Sequence, residues 1–190
     1  MKKKTIIIIL SITVVLILAT AFSFFGTDVK YVLDEVIING VSYSTNSTYL
    51  HIWGEGLTSS DLETLKYMRH LASLVLGLNK INDISILSEM PNLTALNLYG
   101  NQISNISPLS NLTNLIILDL SYNEISDISA LRGLMNLEAL DISYNQISDV
   151  TALSGLTSLL SLRLTGNHIN DEQIAELQHS LPDCFIETEY

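Results

Sequence analysis

The sequence predicts an α/β solenoid, a stack of near-identical coils with a short strand on one side and a tight return on the other. Three observations predict it. From Leu71 the chain repeats at a fixed step, through 71–92, 93–114, 115–136 and 137–158. The ninth slot of each unit is asparagine without exception: Asn79, Asn101, Asn123, Asn145 and, in the following segment, Asn167. Apolar residues alternate with polar or small ones early in each unit, as in Leu74 and Leu76 or Leu118 and Leu120, the period of a half-buried strand. A fixed period of this length is the mark of a repeat architecture.

The N-terminal segment, 1–26, is a different material. Lys2, Lys3 and Lys4 precede an uncharged run from Thr5 to Phe25, about 31 Å long as a helix, close to the roughly 30 Å of a bilayer core. This segment is therefore expected to be a transmembrane anchor or a signal peptide. The lysines would stay cytoplasmic and the repeats would lie outside the cell membrane. Ala19-Thr20-Ala21 is a passable cleavage site, which would leave a secreted chain. The run exceeds the usual signal-peptide core of roughly 7–15 residues, which favours a retained anchor.

Residues 27–48 are expected to be a spacer and an N-terminal cap. In "EVIINGVSYST", Asn39-Gly40 forms a two-residue turn between Val36-Ile37-Ile38 and Val41-Ser42-Tyr43. Residues 49–70 read as a degenerate first coil with a helical return arm, started by a capping box at Ser60 and Glu63, with Leu62, Leu65 and Met68 on one face.

In the four regular units, 71–158, the asparagine falls where the strand must turn. Its amide can hydrogen-bond the backbone of its own turn and of the neighbouring coil. The return, "ISDISALRGL" and its copies, is too short for a regular helix and predicts a turn or 3₁₀ stretch that points Ile and Leu inward. A single coil buries too little to offset the entropy of ordering it, so stability must belong to the stack. Residues 159–190 hold the last repeat and a C-terminal cap: Asn170 as N-cap, Ile174, Leu177 and Leu181 at helical spacing, a stop at Pro182, and a short final segment at Phe185-Ile186.

"LTALNLYGNQISNISPLSNLTN" and its copies resemble the 22-residue leucine-rich repeat of bacterial internalin-type surface proteins, over about residues 49 to 186. The resemblance implies a curved, right-handed solenoid with a concave parallel sheet and a turn or 3₁₀ convex side. It implies binding rather than catalysis.

Function is then expected in the strand positions the repeat does not dictate. Counted at the repeat step, the fifth slots form a row reading Trp53, Val75, Asn97, Asp119, Asp141 and Arg163. The third slots read His51, Ser73, Ala95, Ile117, Ala139 and Ser161, and Tyr99, Tyr122 and Tyr144 follow just after the strands. Successive coils are about 4.8 Å apart in a parallel sheet. The candidate partner-binding residues are Trp53, Asn97, Tyr99, Ile117, Asp119, Tyr122, Asp141, Tyr144 and Arg163. Aromatic residues beside charges are common in binding hot spots.

All 20 acidic residues follow Gly26, as do six of the nine basic ones, so that part carries −14 and should repel nucleic acid. His51, His70, His168 and His179 lack metal-ligand spacing. There is no nucleophile elbow and no phosphate loop. No catalytic, metal or cofactor site is expected, and the chain reads as no enzyme. Asp83, Asp127 and Asp149 recur in turns, with Asn105 in the equivalent slot, and are read as turn hydrogen-bonders rather than calcium ligands. Cys184, the single cysteine, is expected to be buried at the closing edge, with an intermolecular bridge as the other reading. The expected partner is a protein or peptide at the concave face. The alternative is a structural envelope component that assembles with itself or with another membrane protein.

Overall fold

The computed structural model describes residues 6–9, 29–32 and 34–188. Strands β5 (Tyr49–His51), β6 (Ser73–Val75), β7 (Ala95–Asn97), β8 (Ile117–Asp119), β9 (Ala139–Asp141), β10 (Ser161–Arg163) and β11 (Phe185–Glu187) form one seven-stranded sheet in chain order. Every pairing is parallel, in register with the repeat from β6 to β10. Each strand is three residues long. From β6 to β10 the middle leucine points into the core and its two neighbours point out, so a one-residue slip would expose the whole leucine column.

The return arms are 3₁₀ segments at Ser85–Glu89, Ser107–Leu109, Ser129–Gly133 and Thr151–Leu153. They start at turns in which a side chain accepts the N–H two residues on: Asp83 from Ser85, Asn105 from Ser107, Asp127 from Ser129, and Asp149 from Thr151, at 2.8–2.9 Å. These bonds hold the carboxyls of Asp127 and Asp149 below the ordinary aspartate range. Each acid is thus engaged in its own turn.

Between strand and return runs the asparagine ladder. Asn123 Oδ1 accepts the Ile103 N–H of the preceding coil at 3.0 Å, while its Nδ2 donates to the Leu98 and Leu120 carbonyls, each at 3.0 Å. Asn79, Asn101, Asn145 and Asn167 repeat this pattern onto Leu57, Ile81, Ile125 and Ile147. One side chain thereby satisfies buried backbone groups of two coils.

The first coil departs from the expected count. Tyr49 pairs with Ser73, Leu50 with Leu74 and His51 with Val75, a step two longer than that between the regular coils. Leu50 and Ile52 fill the buried strand slots and Leu57 fills the slot of Ile81. The two extra residues lie between Leu57 and Leu62, because Leu62 and Leu65 again precede Ile84 and Leu87 by the regular step. The return arm is a 3₁₀ helix, Ser59–Tyr67, and its cap is not the expected Ser60 and Glu63 pair. Asp61 instead accepts from the Thr58 N–H at 2.8 Å and from Thr58 Oγ1 at 2.7 Å. The shorter aspartate reaches back to the residue that starts the helix, and these bonds lower its pKa.

The N-terminal face is covered by a hairpin of β3 (Glu35–Ile38) and β4 (Val41–Ser44). Asn39 and Gly40, both at positive φ, make its turn. Val36 and Ile38 are buried against the first coil. At the other end, helix α1 (Asp171–Ser180) is capped by Asn170, whose Oδ1 accepts the Gln173 N–H at 2.9 Å. Leu177, Leu181 and Cys184 are buried there, and burial raises the thiol pKa. Such a thiol is a small apolar filler, poorly placed for a bridge to another chain.

The membrane helix or signal peptide expected within 1–26 lies outside the described residues except at β1 (Ile6–Ile9). That segment is extended and pairs in parallel with β2 (Val29–Val32), so the expected spacer carries strand. Among the described residues no helix is long and apolar enough to cross a membrane.

Candidate concave-face binding site

The outward side chains of the sheet stand in two rows. The third-slot row reads Tyr49, Ser73, Ala95, Ile117, Ala139, Ser161 and Phe185. The fifth-slot row reads His51, Val75, Asn97, Asp119, Asp141, Arg163 and Glu187. Trp53 is therefore not in the fifth-slot row, where His51 stands instead. The two-residue insertion moves it to the seventh slot, beside Gly77 and Tyr99, as the bond from the Gly54 N–H to the Gly77 carbonyl at 3.0 Å records.

The fifth-slot row is linked by hydrogen bonds and charge. Asn97 Nδ2 donates to Asp119 Oδ2 at 2.8 Å, and Asp119 Oδ1 accepts from the Ser121 N–H at 3.0 Å and from Ser121 Oγ at 2.6 Å. Asp141 repeats the arrangement with the N–H and hydroxyl of Ser143. Arg163 Nη1 lies 3.6 Å from Asp141 Oδ2, and its Nε donates to Glu187 Oε2 at 3.0 Å. Burial pushes the Asp119 carboxyl above its ordinary pKa. The bonds from Ser121 and Asn97 oppose that shift, and the neighbouring Asp141 charge adds to it. Arg163 is held more firmly protonated by the bond and charge of Glu187 and by Asp141.

Beside this row the aromatic rings touch one another. Trp53 is stacked on Tyr99, with centroids 5.6 Å apart and planes within 6°. Tyr99 meets Tyr122 edge-on at 5.2 Å, and Tyr122 is stacked on Tyr144 at 4.1 Å. His51 and Tyr49 extend the series at the N-terminal edge, where Tyr49 Oη and His51 Nδ1 are 2.7 Å apart. Gly77 makes room for the indole, because a Cβ on it would collide with Trp53 Cζ3.

Tyr122 and Tyr144 occupy the eighth slot, where the backbone is left-handed in every coil from the first to the sixth. Gly54, Gly100 and Gly166 fill three of these positions, and Leu78, Tyr122 and Tyr144 fill the rest. A left-handed conformation costs a non-glycine residue roughly 1–2 kcal/mol. The two tyrosines thus sit where the backbone prefers glycine, and strain of this kind clusters at functional sites.

Of the nine sequence-derived candidates, Tyr99, Asp119, Tyr122, Asp141, Tyr144 and Arg163 line one shallow open depression of about 480 Å³. Asn97 and Trp53 adjoin it through hydrogen bonding and ring stacking. Ile117 stands in the parallel row, 52% exposed. Ser121 and Ser143, in the slot just after the strands, also line the depression, as does Glu187, which sequence reasoning missed. The signal for Glu187 was present: Phe185-Ile186-Glu187 repeats, one lengthened coil later, the outward, inward, outward pattern of Ser161-Leu162-Arg163.

Parallel three-residue strands, 3₁₀ returns and an asparagine ladder define a solenoid scaffold that leaves its sheet free to present side chains. The chain belongs to the leucine-rich repeat family, whose models match residues 45–103 and 127–169 and, as a two-copy repeat, 91–133. Its type is that of the bacterial internalins. It is 31% identical to internalin C2 of Listeria monocytogenes, over 75% of this chain and 73% of that one, with a TM-score of 0.58. It is 30% identical to internalin F of the same organism, over 80% of this chain and 51% of that one, with a TM-score of 0.60. The chain thus spans about half the length of internalin F. The functional domain of InlJ from Listeria monocytogenes, 22% identical over 85% of this chain and 33% of that one, shares the fold with a TM-score of 0.66. No curated protein matches the chain. Leucine-rich repeat domains are in general protein–protein interaction modules and are typically not enzymes.

Proposed function

We propose that this chain is an extracellular repeat module, held at the cell membrane by its N-terminal apolar segment, that binds another protein through the concave face. One observation carries the binding reading. Rings, carboxylates and the exposed Ile117 converge on one stretch of sheet, although the core requires only the leucine between each outward pair. Two of those rings lie at backbone positions where glycine would be less strained, so packing alone does not account for them. The display reading rests on the three lysines and the uncharged run that follows, and on the acidity of everything after it.

Cross-linking capture from intact cells, with the full chain as bait, tests the first part. Ile117→Lys places a positive charge in the middle of the face at an exposed position. It should remove the captured partner while circular dichroism stays unchanged. Recovery of the same partner at the same yield overturns the concave-face reading. Mass spectrometry of the membrane fraction tests the second part. A mature chain that retains Lys2–Lys4 supports the anchor, and a soluble exported chain beginning near Phe22 overturns it.

A further inference from the structure

The geometry points to a particular occupant for this face: a lysine- or arginine-bearing segment of the partner protein, its cationic group seated between Asp119 and Asp141 with the tyrosine rings alongside. This rests on the concave-face reading and names the chemistry the face selects. Each carboxylate commits one oxygen to its own serine and leaves Oδ2 in the outward row. Asp119 Oδ2 accepts one bond, from Asn97. Asp141 Oδ2 faces Arg163 at 3.6 Å, while that guanidinium makes its shorter bond, 3.0 Å, to Glu187. An ionised carboxyl has about four lone-pair sites, so acceptor capacity remains at both.

Arg163 shows the mode internally. A guanidinium already approaches Asp141 from the C-terminal coil, whereas Asp119 has another carboxylate in that position. Two adjacent like charges in a parallel ladder are unfavourable, and a cation placed between them removes the repulsion. Tyr99, Tyr122 and Tyr144 line the same depression, and aromatic faces and hydroxyls suit a guanidinium or ammonium. The surrounding charge, −14 after Gly26, draws a basic partner in from a distance.

The test uses the full chain and a fluorescein-labelled Gly-Ser-Arg-Gly-Arg-Ser-Gly peptide, with the citrulline analogue as the uncharged control. Binding is read by anisotropy at physiological ionic strength, where charges beyond about 8 Å are screened. The informative variant is Asp119→Asn with Asp141→Asn. It keeps an acceptor for the Ser121 and Ser143 N–H groups, as Asn97 in the same slot accepts the Tyr99 N–H at 3.1 Å, and gives up the bond from Asn97 to Asp119 Oδ2. Its control, Asp127→Asn with Asp149→Asn, removes equal charge from the convex side, where Asn105 stands naturally. The concave variant should weaken arginine-peptide binding about tenfold or more, and the convex one less than about twofold. The citrulline peptide should bind neither the native chain nor the variants.

Equal losses in the two variants would reduce the attraction to bulk charge and overturn the proposal. So would native binding of the citrulline peptide, or of a neutral oligosaccharide such as chitohexaose, in preference to the arginine peptide. These failures are separable from that of the concave-face reading, which is decided by partner capture with Ile117→Lys.

Discussion

Single residues of the eighth slot decide between scaffold and surface. Tyr122→Gly or Tyr144→Gly relieves a left-handed backbone costing roughly 1–2 kcal/mol and forfeits ring stacking of about 0.5–1.5 kcal/mol. Each should therefore change stability by less than about 1 kcal/mol in urea denaturation. Gly77→Ala should behave differently, because its Cβ would collide with the Trp53 ring and force it off its seat, at a cost of about 1–3 kcal/mol. The Asp119 carboxyl sits above its ordinary pKa of 3.8, so in the window from 3.8 upward the native state binds more protons than the unfolded chain. Stability then falls as pH rises through that window. Asp119→Asn removes the slope: it should be more stable than the native chain at about pH 7 and converge with it at about pH 3, as read by urea midpoints.

At the scale of the element, the asparagine turn matters more than the strand. Asn123→Ala strands the buried Ile103 N–H and removes one of the two amide bonds at each of the Leu98 and Leu120 carbonyls, which keep those from Asn101 and Asn145. With about 1–3 kcal/mol for the one stranded donor and less for each carbonyl that keeps a second bond, the loss should be about 2 kcal/mol, measurable as a lowered denaturant midpoint at unchanged slope. This ladder was legible in the sequence, because an invariant amide after an alternating strand has few other uses. The cap of the first return arm was not. Thr58 and Asp61 offer the same chemistry as Ser60 and Glu63 two positions further on, and only the three-dimensional path selects between them. The same insertion displaced Trp53 from the fifth row to the seventh. A fixed step cannot register two residues added on the far side of a coil, whereas the buried pair Leu50 and Ile52 marks the true phase.

Across the whole molecule, regularity makes the array readable and its ends less so. The regular coils follow from period, alternation and the need to stack. The edge strands do not, because β5 and β11 each lie two positions beyond the regular step from their neighbours, beside the two longest return arms. Of the site, the acidic pair and the tyrosines were legible as residues that the core leaves unspecified. The joining of Arg163 to Glu187 needed the register of β11. Nearest-neighbour stacking carries a further expectation. Deleting 115–136 brings Leu137 into the slot of Leu115, and the shortened chain should still fold cooperatively. It should melt at a lower temperature, as followed by circular dichroism. A non-cooperative chain would mean that the coils are not interchangeable.

The seating of Trp53 also gives the protein an optical property. It is the only indole in the chain, and it lies against Tyr99, the first of three phenol rings in series. Light absorbed by those phenols can pass to the indole, whose emission colour follows the wetness of its surroundings. Any molecule that settles on this side of the solenoid therefore alters an intrinsic signal, and occupancy can be followed without attaching a dye.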